Sequence, residues 1–146
     1  MKKTFPWILC AVLALALAGC LLYIFLPKSE KDPYAGSPKQ PTDEQHIKYG
    51  KKALEIADAY LDFEISLEEA RERIDLLCDA IETLPKGSEE QETGNLYVEI
   101  DVSYLQYAFF AAATRAKGLN GLASKESADV LKARNGLART LGVKER

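Results

Sequence analysis

Apolar and polar positions divide the chain into blocks of different period. Trp7 to Leu26 is an uninterrupted run of twenty uncharged residues, WILCAVLALALAGCLLYIFL. At 1.5 Å per residue a helix of that length is about 30 Å long, the thickness of a hydrocarbon core. Lys2 and Lys3 precede it, as in an export signal, and Trp7 and Tyr23 stand near its ends, where interfacial aromatics gather. Residues 1–26 are therefore expected to form a membrane-spanning signal anchor. Residues 27–42, PKSEKDPYAGSPKQPT, follow with Pro27, Pro33, Pro38 and Pro41. Proline at that density favours extended chain, so a solvated Pro-rich spacer is expected there.

From residue 43 to 146 the period is helical. Thr42-Asp43-Glu44-Gln45 has the spacing of a capping box, with Thr42 at the cap. Ile47, Gly50, Leu54, Ala57 and Leu61 then step by three and four, predicting a helix over 43–62. Ser66-Leu67-Glu68-Glu69 opens a second helix, with a stripe through Leu67, Ala70, Ile74, Leu77, Ile81 and Leu84. The short connection makes the two an αα-hairpin. PKGSEEQETG, residues 85–94, reads as a polar loop. Residues 96–103 alternate like a strand, yet Val98, Val102, Leu105, Phe109, Ala112 and Ala116 keep helical spacing. With no second strand to pair with, a third helix over about 95–117 is expected. Gly118 to Gly121 breaks the chain, and a last helix is expected over about 125–141 with Gly142 as its C-cap. The fold class is thus all-α, a small bundle of about four helices beginning with a hairpin.

Cys20 gives the apolar run a second fate. Leu17-Ala18-Gly19-Cys20 resembles the lipobox of bacterial lipoproteins. The resemblance implies cleavage after residue 19 and a lipid on Cys20, although Leu21 to Leu26 is apolar where lipoproteins turn polar. Ala16-Leu17-Ala18 also fits a simple cleavage site. All three readings place the soluble domain outside the cytoplasm of a bacterial cell, and the first two keep it at the membrane. Orientation rests on a nearly balanced count, Lys2 and Lys3 against Lys28, Lys31 and Lys39.

The first hairpin also resembles a single tetratricopeptide repeat, with Ala57 and Tyr60 in its first helix and Ala70, Ile74 and Leu77 in its second. That fold stands only when several repeats stack. This one has a longer connection, a later proline (Pro85) and no second copy, so the resemblance implies no fold here.

Residues that carry chemistry are few. His46, the single histidine, falls in the first turn of the first helix and is expected at the surface. Cys78, the single cysteine beyond the apolar run, lies on an apolar edge and is expected as a buried, inert thiol. No phosphate-binding loop, nucleophile elbow or paired-histidine motif is present, so neither metal nor cofactor is expected. The acidic balance, with a net charge of −3, argues against nucleic acid.

Charge, however, is segregated. Residues 55–101 hold fifteen acids against Arg71, Arg73 and Lys86, a net −12, whereas residues 102–146 carry a net +5. Glu68, Glu72, Asp75, Asp79 and Glu82 share one face of the second helix, and Lys125, Lys132 and Arg139 recur every seven residues in the last. The plain expectation is that both stripes are solvated faces; a sharper one is that these helices pack side by side with the stripes flanking their seam, and a third is that the acidic hairpin docks a basic partner. Tyr104, Tyr107, Phe109 and Phe110 make the third helix apolar nearly all round, as expected of a central helix or one with a face kept for a partner.

The expected function is a membrane-tethered, non-catalytic protein-interaction module. Tyr104, Tyr107, Phe110, Glu68, Glu72, Asp75 and Asp79 are its candidate contacts, with a protein or a second copy as partner. A lipoprotein lipidated at Cys20 with an envelope or binding role is the alternative. A small enzyme using a carboxylate pair is the third possibility.

Overall fold

The computed structural model describes residues 32–118 and 123–146, apart from the side chains of 116–118 and 123–126. The apolar run 7–26 with Cys20, the first part of the spacer and the break at 119–121 lie outside them. Among the described residues all regular structure is helical, in four helices: α1 (Glu44–Leu61), α2 (Leu67–Glu82), α3 (Glu89–Gly118) and α4 (Ala123–Thr140).

Local chemistry sets the helix ends, in two places differently from expectation. Asp43, not Thr42, caps α1: its carboxylate accepts the Gln45 N–H at 2.8 Å. The cause is tertiary. Asn95 Oδ1 takes the Asp43 N–H at 2.8 Å and holds that residue outside the helix, while the Thr42 hydroxyl donates to the Gln40 carbonyl at 2.9 Å. Ser66 caps α2 as expected, accepting the Glu69 N–H at 3.1 Å. The second departure is α3, which begins at Glu89 rather than near Asn95 and absorbs half of the expected loop. Ser88 starts it: its N–H and hydroxyl donate to Gln91 Oε1 at 3.2 and 3.0 Å. Glu89, Glu90 and Glu92 then favour the positive end of the helix dipole. The polar run that read as a loop is a helix N-terminus. At the other end of the fold, Gly142 (φ 66°) closes α4 as expected, with the Val143 N–H returning to the Ala138 carbonyl at 2.8 Å.

Named contacts give the directions. Asp43 meets Asn95, His46 meets Glu99 and Tyr60 meets Phe109, so α1 and α3 run parallel. Gln106 meets Asp75 and Asn95 meets Lys86, so α2 is antiparallel to α3. Thr140 meets Asp101 and Arg115 meets Asp129, so α4 is antiparallel to α3 as well. The cross-section is a diamond in which α1 and α3 touch across the short diagonal. Gly50, Ala53 and Ala57 permit that approach, with Val98 Cγ1 3.2 Å from where a Gly50 Cβ would stand. Consequently α2 and α4 occupy opposite corners, with no contact between them among the described residues. The expected α2–α4 seam is overturned, because the α1–α3 pair fills the space between those helices.

The core is built from Leu54, Ile74, Val98, Val102, Leu105, Phe109, Leu137 and Leu141, all fully buried. The Tyr60 ring meets Phe109 edge-on, centroids 5.3 Å apart. The segment before α1 packs on this unit rather than standing clear of it: Tyr34 borders the core, Gly36 lies against the Gly142 carbonyl, and the Pro41 carbonyl rests on Gly94.

Gly94 sits inside α3 because Pro41 and Thr42 leave no room for a β-carbon. Gly94→Ala should therefore destabilise the fold by about 1–3 kcal/mol despite alanine's better helix propensity. Gly136, whose added β-carbon would find its nearest neighbour at 4.0 Å, should gain up to ~1 kcal/mol on the same change. Chemical denaturation of the two variants side by side checks the contrast; equal effects would refute the close approach at Gly94.

Candidate functional site

Three polar side chains lie in the core: His46 at 1% exposure, Asn95 at 3% and Arg134 at 3%. Each occupies a position in an apolar stripe. Arg134 falls between Val130 and Leu137, Asn95 begins the series through Val98 and Val102, and His46 precedes Gly50 and Ala53 by helical steps. Each also carries a tertiary bond. Asn95 donates to the Lys86 carbonyl at 3.0 Å while accepting from Asp43, so it joins the α2–α3 connection to the start of α1.

Arg134 is the hub of the largest network. Its Nε and Nη2 donate to the two Asp58 oxygens, each at 2.9 Å, and Nη1 donates to the Lys144 carbonyl at 2.9 Å. Tyr34 adds its hydroxyl to Asp58 at 3.0 Å, and Arg146 reaches Asp58 at 3.2 Å and Asp62 at 2.5 Å. Burial alone would raise the Asp58 pKa. The Arg134 hydrogen bonds and charge, with Arg146 and Tyr34, outweigh it and hold the carboxyl below its ordinary range. The same neighbourhood, burial first and then the Asp58 charge, pushes the Tyr34 hydroxyl well up. Both groups are thereby fixed in the forms that bond to each other.

His46 overturns the expectation of a surface histidine. Its Nε2 lies 3.1 Å from Glu99 Oε1, and Nδ1, 3.7 Å from Asp43, has no hydrogen-bond partner. The α1–α3 approach buries the ring between the two helices. Among the described residues no group of three His, Cys, Asp or Glu side chains is placed to hold a metal ion. Cys78 is buried as expected, and burial, then Asp75, Glu82 and Asp79, pushes its thiol up to about 11.

The exposed aromatic surface is on α3. Its inner face is core, but Leu96, Tyr97, Ile100, Tyr104, Tyr107 and Phe110 stand 40–69% exposed on its outer face. Six large exposed side chains on one helix face form a continuous patch rather than the scattered single residues usual on a monomer. Tyr97, Ile100, Tyr104, Tyr107 and Ala111 step by three and four along the strip. The expectation of a buried central helix is met only in part: α3 packs on α1, α2 and α4, but Tyr104, Tyr107 and Phe110 are exposed, leaving one side unpartnered.

That strip has unlike borders. On the α2 side Asp75 accepts from Gln106 of α3 at 2.9 Å, and Glu72 and Asp79, a helical step from it on α2, are exposed, as is Glu68. On the α4 border a groove of about 480 Å³ runs past Tyr104 and Tyr107 with Lys132 and Arg139 at its rim. Its two acids are engaged: Asp101 accepts from Thr140 at 2.5 Å and Asp129 pairs with Arg115 at 2.5 Å. Of the seven candidate contact residues, Tyr104, Tyr107 and Phe110 are exposed on the outer face of α3, and of the four α2 acids Asp75 is the one bonded to that helix. Sequence reasoning missed Asp58, Arg134 and Asn95; a charged or amide residue inside an apolar stripe was the signal available.

Among the described residues no helix is long and apolar enough to cross a membrane. No family model matches the chain, and neither the curated proteins nor the solved structures contain a match.

Removing Asp58 strands a buried guanidinium, so Asp58→Ala should cost about 3–5 kcal/mol. The contribution of the lowered Asp58 pKa is present above the unfolded carboxylate value of about 4 and lost as pH falls through the lower folded value. Asp58→Asn should therefore flatten the acid limb of stability against pH. An acid limb unchanged in slope and position would show that Asp58 does not couple protonation to folding.

Proposed function

We propose that the chain is a membrane-tethered, non-catalytic protein-interaction module whose docking surface is the outer face of α3. The observation that carries this reading is the strip from Leu96 to Phe110, apolar and at helix-packing intervals on a helix whose opposite face is already buried. Core formation does not need those side chains exposed, and water penalises them. The twenty-residue apolar run, with Lys2 and Lys3 before it, supports an anchor that holds the domain on the extracytoplasmic side of a bacterial membrane. The acids around the cavities favour docking over catalysis, because Asp58, Asp62, Asp101 and Asp129 are each engaged by an arginine or a hydroxyl.

Paired substitution of Tyr104 and Tyr107 by serine separates docking from folding. Thermal stability should change by less than about 0.5 kcal/mol per site, the usual cost at an exposed position. Complexes recovered by crosslinking in intact cells should disappear. Unchanged complexes in a folded variant would remove α3 as the docking surface. For the anchor, growth with radiolabelled palmitate should leave both the wild type and Cys20→Ser unlabelled; label on the wild type alone would establish the lipoprotein alternative instead.

A further inference from the structure

We infer that the occupant of the α3 outer face is a second copy of this chain, packed about a two-fold axis parallel to α3, so that the acidic α2 border of each copy lies over the basic α4 border of the other. The inference rests on the docking role proposed for that face and adds its partner and geometry.

Charge and register select the arrangement. Two copies meeting on α3 have two simple two-fold arrangements. An axis perpendicular to α3 runs the two α3 helices antiparallel and sets α2 on α2, acid on acid, with α4 on α4. An axis parallel to α3 runs them in the same direction and sets each α2 opposite the partner's α4. Like charges brought face to face oppose association, so the second arrangement is selected.

The heights of the charges along α3 then agree. From the Gln106–Asp75 bond, four residues along α2 bring Asp79 level with Val102. From the Thr140–Asp101 bond, one residue back along α4 brings Arg139 level with the same residue. On the next turns, Glu72 stands level with Phe109, three residues from the Gln106–Asp75 bond, and Lys132 level with Ala112, three from the Arg115–Asp129 bond. The offset of that second pair is about 5 Å, within the reach of a lysine side chain. Both pairs are seven residues apart, and α2 and α4 run in the same direction, so Asp79 faces Arg139 and Glu72 faces Lys132 in a single register. Two-fold symmetry makes four such pairs.

The apolar strip supplies the seam between them. Tyr97, Ile100, Tyr104, Tyr107 and Ala111 have the three-four spacing by which parallel helices interlock.

The test uses the full chain expressed in its membrane, with the photocrosslinker p-benzoylphenylalanine replacing Tyr107. Irradiation should give an adduct of twice the chain mass, joined to residues 100–111 of the second copy. Glu72→Lys with Asp79→Lys should lower its yield roughly tenfold, and adding Lys132→Glu with Arg139→Glu should restore it. These positions are exposed, and circular dichroism verifies that each variant folds. An adduct joined to residues 96–99, or one indifferent to the charge reversals, overturns the parallel arrangement. An adduct with a different protein overturns the second copy as occupant while leaving α3 as a docking face. The absence of any adduct from position 107 overturns both.

Discussion

The buried pair of Asp58 and Arg134 is the constraint on which the arrangement of the other elements depends. A guanidinium at 3% exposure is tolerable only with its charge balanced and its N–H groups occupied. Asp58 satisfies two of them from α1 and the Lys144 carbonyl takes a third from the chain after α4. Tyr34 and Arg146 fill the remaining capacity of Asp58. One side-chain pair thereby sets the register of α1 against α4 and draws in the segments at both ends of the folded unit. A hydrophobic pair would bury as well, but it would not demand those particular partners.

With α1 tied to α4, and α1 close to α3 through Gly50, Ala53 and Ala57, the diamond cross-section follows. It has a functional consequence. A square bundle shares burial among its helices, whereas this one places α1 and α3 together on the short diagonal and leaves the far side of α3 open between α2 and α4. The aromatic strip is exposed because of where the small residues of α1 lie. The acidic and basic helices are kept apart by the same geometry, so they cannot neutralise each other within one molecule. They stand instead on either side of the open strip, where their charge is presented outward.

Much of this was legible in the apolar periodicity. The four helices, the Ser66 cap and the Gly142 terminus depend on local spacing, and Leu54, Ile74, Val102, Phe109 and Leu137 are core because they recur at helical intervals. What periodicity could not convey was tertiary. Asn95 moves the α1 cap from Thr42 to Asp43 across fifty-two residues of sequence. Ser88 turns an acidic, polar stretch into the first turns of α3. His46 reads as a surface residue until the approach of α3 buries it. The charge stripes were visible as stripes, but assigning them to one seam needed the knowledge that α1 and α3 stand between them. The candidate contacts on α3 and α2 were found as residues; that they border one another was not.

The central claim is that the outer face of α3 is covered where the protein works. Hydroxyl-radical footprinting of Tyr104, Tyr107 and Phe110 tests it most directly, comparing the full chain in intact membranes with the same chain purified and diluted. Strong protection of these three side chains is expected in the membrane and high reactivity after dilution, with the exposed Phe63 reactive in both. Equal reactivity of the three in the two states would contradict it.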